Sequence, residues 1–478
     1  MAAVRPRGLA HRAAWLLGMA VGFYLLAAGI ALGLLWVPYA QSEYGDGIEP
    51  SGFLCGAGAL WVAWGLVPRR RRAPDPGVPL GEGRHPRLQS LIRDVAARTG
   101  HATPADIHLF HDANAFTAVR REAWLRSRTV VGAGLPLLAW LSRSELESVI
   151  AHEFGHHVSG DLALGPWVHR TRRTIGGALD HLDGSSFWLH LPFVAYAELF
   201  VRSSSGISRA QELEADAVAA RIAGRGPTAR ALRITHEKGP LWTAYLEMEV
   251  LPVIAAGRVP PLLEGFRWFE GAVAAEHGAL AERQAERAAE KSTVYDTHPS
   301  LSERLAALGA EAGGPEPGAH CLDLLDDVAA AEEAVLRSLL VDPSRPLPRI
   351  AWADVTREVW LPRWRQQLEA HRAHFRELRP SQLPEALAQI DAWAERTRVG
   401  LALLSPAAER RRMTGLFSVW LAAALSELGF ELDGLPGAPV RARRGEHALE
   451  PFLVVRRLLD GKLDAGAWRA RCAEAGVP

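Results

Sequence analysis

The stretch Ser142–Gly160, SRSELESVIAHEFGHHVSG, decides how this chain of 478 residues is read. Within it His152 and His156 stand four residues apart, with Glu153 beside the first. On a helix, positions i and i+4 share a face one turn apart, so both imidazoles can meet a single metal ion. Glu153, about 100° further round, can reach a water on that ion and act as general base. The neighbouring residues predict the helix itself. Ser142 and Glu145 form a capping box. Leu146, Val149, Ile150 and Phe154 recur as an apolar stripe, and Gly160 is a stop signal. His157, next to the second imidazole, points away from the metal and reads as structural.

A hydrolytic zinc site takes three protein ligands and leaves the fourth position to water. The segment Ser208–Asp216, SRAQELEAD, is the candidate source of the third. Ser208 with Gln211 reads as a second capping box opening a helix that Gly224 ends. Glu212 and Asp216 then share a face, so Glu212 can ligate while Asp216 orients a ligand imidazole. The alternative is a solvated acidic face, and Glu214 is read that way.

These two motifs, His-Glu-x-x-His and Ser-Arg-x-x-Glu-x-x-Ala-Asp, resemble the HtpX-like and CAAX prenyl endopeptidase family of membrane zinc metalloendopeptidases, which is of gluzincin type. Asn114-Ala115-Phe116 is similar to the family's Asn-Ala-Phe strand, which borders the cleft in relatives. Asp161 matches the His-x-x-x-x-Asp continuation, and Thr297-His298-Pro299 with Arg304 matches a Thr-His-Pro segment before a helix. The resemblance covers roughly residues 86 to 310. It implies one Zn²⁺ per chain held by His152, His156 and Glu212, with Glu153 as base and Asp161 and Asp216 in support. It also implies that Asn114, Ala115 and Phe116 belong to a strand that pairs with extended substrate. His298 is held extended by Pro299 ahead of a Ser300–Glu303 cap, and can donate to the oxyanion of a tetrahedral intermediate.

The N-terminal region reads as membrane. No charge occurs from Ala13 to Ser42, and residues 14–37 are long enough to cross a bilayer. A second uncharged run, residues 51–68, is shorter and richer in glycine. Arg5, Arg7 and Arg12 precede the first run and Arg69 to Arg72 follow the second, whereas the connecting loop carries Glu43, Asp46 and Glu49. The positive-inside tendency therefore predicts a hairpin with both ends, and the catalytic domain, on the cytoplasmic side. A cleaved signal peptide fits poorly, because the apolar run is too long and another follows it. Between the two motifs, where the HtpX pattern has further membrane helices, only Phe187 to Ala197 is uncharged. That is too short to span, so an amphipathic or re-entrant element covering the cleft is expected there.

The expected domains are a tail (1–12), the hairpin (13–68), a basic linker (69–85), a metallopeptidase domain (86–312), a flexible break (313–318) and a helical domain (319–478). The expected fold is mainly α with a small β-sheet, of α+β zincin-like type. A helix with Leu88, Leu91, Ile92 and Val95 and strands at Ile107–Phe110 and Thr129–Gly132 precede the metal helix. Formal charge is zero, so no nucleic-acid partner is expected. Cys55, Cys321 and Cys472 are scattered and offer neither a disulfide framework nor a thiolate zinc site. The near absence of lysine beside abundant arginine is read as the base composition of a GC-rich bacterium. The tryptophans of the C-terminal domain, among them Trp352, Trp393, Trp420 and Trp468, are read as core.

Two functions follow as expectations. The first is an endopeptidase of the bacterial plasma membrane acting on misfolded or membrane-associated polypeptides through a zinc-bound water activated by Glu153. The second is a membrane-anchored sensor or scaffold that keeps a latent peptidase fold and works through its C-terminal domain.

Overall fold

The computed structural model describes residues 6–66, 77–81, 83–123, 126–158, 175–176, 187–276, 299–309, 320–340, 342, 347–397 and 405–478. The chain forms two compact units, Met1–His236 with Ala285–Asp327, and Glu237–Gln284 with Val328–Pro478.

The first unit opens with helices α1 (Pro6–Tyr44) and α2 (Pro50–Leu66), which pack on each other as a hairpin. Gln41 ties the turn: its Nε2 donates to Ser51 Oγ at 2.9 Å and its Oε1 accepts from the Glu49 amide at 3.2 Å. Among the described residues, only Leu17–Tyr44 within α1 has the length and composition to cross a membrane. The expected second span is a helix of 17 residues, shorter than that criterion. Trp15, Leu25, Trp36, Leu54, Leu60 and Trp64 are all exposed on this hairpin, an apolar surface that water does not favour.

A four-stranded sheet follows, in the order β1-β2-β4-β3, from β1 (Val78–Pro79), β2 (Asp106–Phe110), β3 (Ala115–Ala123) and β4 (Arg126–Gly134). β2 and β4 run parallel, and β3 pairs antiparallel with β4 as an edge strand. Helix α3 (Pro86–Arg98) buries Leu88, Leu91, Ile92 and Val95, the stripe its spacing predicts. Both expected strands are present, extended by a few residues. β4 leads through α4 (Leu135–Trp140) into the metal helix α5 (Arg143–Val158).

Leu146, Ile150 and Phe154 of α5 are fully buried. At its start Glu145 Oε2 accepts from the Ser142 amide at 2.9 Å, the reach-back expected of the capping box. The other oxygen of Glu145 accepts from Arg230 Nε at 2.8 Å, and Ser148 Oγ donates to Thr228 Oγ1 at 2.9 Å. The helix is therefore anchored by polar bonds at its first turns and by apolar packing beyond them. The expected stop at Gly160 lies outside the described residues, as do Asp161, Thr297, His298, residues 69–76 of the basic linker and the break at 313–318.

Two expectations about the second motif are corrected. No helix begins at Ser208. A single helix, α6, runs from Phe187 to Ala223 and carries Glu212 and Asp216 in its later half. The chain before Ser208 is already helical: Ser203 Oγ donates back to Leu199 O at 2.8 Å and Ser205 Oγ to Arg202 O at 3.0 Å, inside the helix. The apolar stretch before it is likewise not a separate element over the cleft. It is the first part of α6, and Phe193, Ala197 and Phe200 pack with Met19, Phe23 and Ala27 of α1.

α5 and α6 cross closely at Gly155. A Cβ on that residue would meet Ala215 Cα at 2.9 Å and Ala215 Cβ at 3.2 Å. Any side chain there must push the helices apart. In the second unit the helix Pro406–Glu427 is central, burying its Leu416, Phe417, Trp420, Leu421 and Leu425 in one core with Trp393 and Trp468. Strands β5 (Glu431–Asp433), β6 (Arg441–Arg444) and β7 (His447–Leu449) form an antiparallel sheet there, so this region is not wholly helical as expected.

The crossing is open to test. Gly155→Val or Ala215→Leu should lower stability by about 1–3 kcal/mol through overpacking. The loss would be read as a drop in melting temperature of the detergent-solubilised protein, and unchanged melting in both variants would contradict close contact.

Candidate metal centre

His152 and His156 project from one face of α5, their ring centroids 4.8 Å apart and their planes at 85°. The potential ligand atoms of His152, Glu153 and His156 all lie within 4.8 Å of one another. α6 supplies the facing side, where Glu212 Oε2 stands 3.5 Å from His152 Nε2. Two donors on a tetrahedral ion with bonds of about 2.0–2.1 Å are roughly 3.3–3.4 Å apart. His152 and Glu212 therefore sit at the spacing of two ligands of one ion. Two imidazoles and a carboxylate are also a donor set that suits Zn²⁺.

Asp216, one turn after Glu212, meets the other side of the same imidazole. Its Oδ1 is 3.0 Å from His152 Nδ1, although this buried nitrogen lies off the line of a good hydrogen bond. A small rotation of the ring closes the angle. Arg304 grips the same carboxylate as a fork, donating from Nε to Oδ2 at 2.8 Å and from Nη2 to Oδ1 at 2.6 Å. Its Nη2 is also 3.7 Å from Glu212 Oε2. Arg304 comes from the short helix Leu301–Leu308, where Ser300 and Glu303 make the expected capping box.

Electrostatics separates the roles. Burial pushes the Glu153 carboxyl up to about 7; His152 pulls against the shift and Glu212 adds to it. Burial disfavours a charged His152, yet contact with Asp216 and Glu212 outweighs it and raises the imidazole to about 9. Burial likewise works against charge on Asp216, but Arg304 and His152 hold its carboxyl below the usual range. A carboxyl poised near neutrality suits proton transfer, whereas a carboxylate fixed as an anion suits orientation.

The edge strand lies beside this centre. Thr117 Oγ1 in β3 donates to the backbone carbonyl of Glu153 at 3.0 Å. Asn114 leads into the strand, its Oδ1 accepting from the Ala115 amide at 2.9 Å. Ala115 is buried, and the Phe116 ring lies 5.3 Å from that of Phe110. The structure thus gathers His152, Glu153, His156, Glu212 and Asp216, with Asn114 to Phe116 on the strand next to their helix. Glu214 is exposed, as expected. Asp161 and His298 cannot be placed with them, being outside the described residues. The importance of Arg304 was not drawn from the sequence. Its signal was available, since buried carboxylates at Glu212 and Asp216 call for a cation, and Arg304 follows the Thr-His-Pro segment.

The metal-free protein has a pH signature. Raised folded pKa values stabilise at low pH and lose that contribution as pH climbs, here through about 7 for Glu153 and about 9 for His152. The depressed Asp216 contributes above the ordinary carboxylate range and is lost as pH falls through its folded value. Chelator-treated protein should therefore melt highest at mildly acidic pH and decline through pH 7 to 9. Asp216→Asn should flatten the alkaline limb, and stability rising from pH 6 to 9 would contradict this electrostatic picture.

The sequence profile of peptidase family M48 matches residues 82–312. The chain is 25% identical over 245 residues to "Protease HtpX" of Hahella chejuensis, covering 47% of this chain and 71% of that protein. It is 28% identical over 246 residues to the Pseudomonas paraeruginosa protein of the same name, covering 47% and 72%. It is 30% identical over 166 residues to that of Cellvibrio japonicus, covering 30% and 55%. No solved structure gives a significant match. The matched segment, somewhat under half of the chain, contains every described residue of the centre, and this part of the chain is similar to the HtpX-like metalloproteases of peptidase family M48.

Proposed function

We propose that the chain hydrolyses peptide bonds at one Zn²⁺ held by His152, His156 and Glu212. The observation that carries this is the 3.5 Å approach of Glu212 Oε2, on one helix, to His152 Nε2 on another. Zn²⁺ in this site supplies a Lewis acid for the scissile carbonyl and lowers the pKa of a water. Glu153 takes a proton from the attacking water and later passes it to the leaving amine. Asp216, clamped by Arg304, keeps the His152 ring turned toward Glu212 and its Nδ1 away from the metal. The outer edge of β3, the last strand of the sheet among the described residues, accepts substrate as an added strand, placing the scissile bond next to Glu153. His298 as oxyanion donor and Asp161 as a supporting residue complete the proposal from the sequence alone.

The proposed setting is the bacterial plasma membrane, with α1 as anchor and the metal centre on the cytoplasmic side, where arginines flank the hairpin. Proposed substrates are misfolded or membrane-associated polypeptides. The sensor or scaffold reading gains no observation of its own, because base and ligands are assembled together rather than lost.

Zinc content and casein cleavage test this proposal. Glu153→Gln should keep its zinc and lose roughly 10²–10⁴-fold in rate. Glu212→Ala should lose the metal, and Arg304→Gln should bind it roughly 10–100-fold more weakly. Wild-type rates in Glu153→Gln, or full zinc in Glu212→Ala, would contradict the assigned roles.

A further inference from the structure

Helix α6 joins two surfaces of different chemistry. Its first part exposes Leu191, Val194 and Leu199 at 47%, 42% and 51% of their surface. The same part packs on α1, the helix long and apolar enough to cross a bilayer. The Phe193 ring meets that of Phe23 edge-on at 5.9 Å, and Tyr196 Oη donates to Met19 O at 2.5 Å. Residue 193 is thus level with 23, and 196 with 19, so the two helices run in opposite directions. α6 leaves the apolar layer on the side where α1 enters it.

The edge of that layer can be located from both helices. On α1 the last charge before the uncharged run is Arg12, seven residues before Met19. Counting the same distance along α6 from Tyr196 reaches residue 203, beside the exposed pair Glu198 and Arg202. From Arg202 the helix continues without interruption to Glu212, ten residues on, which is about 15 Å at 1.5 Å per residue. The Gly155–Ala215 crossing then fixes its far part against α5.

We infer that α6 is a ruler that holds the metal centre about 15 Å outside the bilayer, so that a membrane-anchored chain is cut at a fixed distance from the membrane edge. This rests on the peptidase reading above. An extended chain covers about 3.3 Å per residue, so the scissile bond lies roughly five residues beyond the bilayer edge. The relevant edge is the one at which α1 begins. Soluble unfolded chains reach the same centre without this constraint.

The test uses the full-length, zinc-loaded protein in liposomes with single-span substrates bearing a uniform, cleavable tether on the side where α1 begins. Fragment masses map each cut. Cuts should cluster about five residues from the membrane boundary, and two extra helical turns inserted after Arg202, about 10 Å, should move the cluster outward by about three residues. Cuts scattered along the tether overturn the ruler, as does an unmoved cluster in an insertion variant that still binds zinc. If the insertion variant fails to fold, clustering or scatter with the wild type decides alone. A soluble unfolded polypeptide separates the two readings. Its Glu153-dependent cleavage alongside scattered tether cuts overturns only the ruler, whereas no Glu153-dependent cleavage of either substrate overturns the peptidase reading and the ruler together.

Discussion

The centre depends on one steric constraint, the close crossing of α5 and α6 at Gly155 and Ala215. Only a residue without a Cβ fits at 155, since the nearest Ala215 atom would stand 2.9 Å from any Cβ there. That approach brings Glu212 within ligand spacing of His152 and puts Asp216 behind the same ring. The constraint is apolar, whereas what it positions is polar. Anchoring of α5 through Glu145–Arg230 and Ser148–Thr228 keeps the crossing from sliding.

Charge balance explains the next layer. Three carboxylates, Glu153, Glu212 and Asp216, converge in a largely buried space, which is costly unless cations answer them. Arg304 answers Asp216 directly and Glu212 at longer range. His152 lies between the same two carboxylates. Glu153 receives least compensation, and burial leaves its carboxyl near neutrality. Glu153, the residue proposed to exchange a proton, is the one the surroundings leave poised to do so.

Much of this was legible in the sequence because it is local. The capping residues Ser142 and Glu145, the stripe of α3 and the i, i+4 pairs at 152/156 and 212/216 depend on helical periodicity alone. What escaped is non-local or conformationally ambiguous. Ser208 with Gln211 looks like a helix start, but the serine hydroxyls before it bond back into one continuous helix, and packing on α1 holds the segment there. The arginine-rich strand β6 carries no β-branched residue, so propensity hid it. The Gly445-Glu446 turn, with Gly445 at φ +61°, was its readable sign. The Arg304 fork closes a separation of 88 residues, which no local pattern reports.

Metal coordination is the most direct test, because every role assigned to the centre follows from its ligand set. X-ray absorption on the zinc-loaded, full-length protein should show a first shell of nitrogen and oxygen at about 2.0–2.1 Å, with outer-shell scattering from two imidazoles. A sulfur shell at about 2.3 Å, or scattering from fewer than two imidazoles, would contradict a site built from His152, His156 and Glu212.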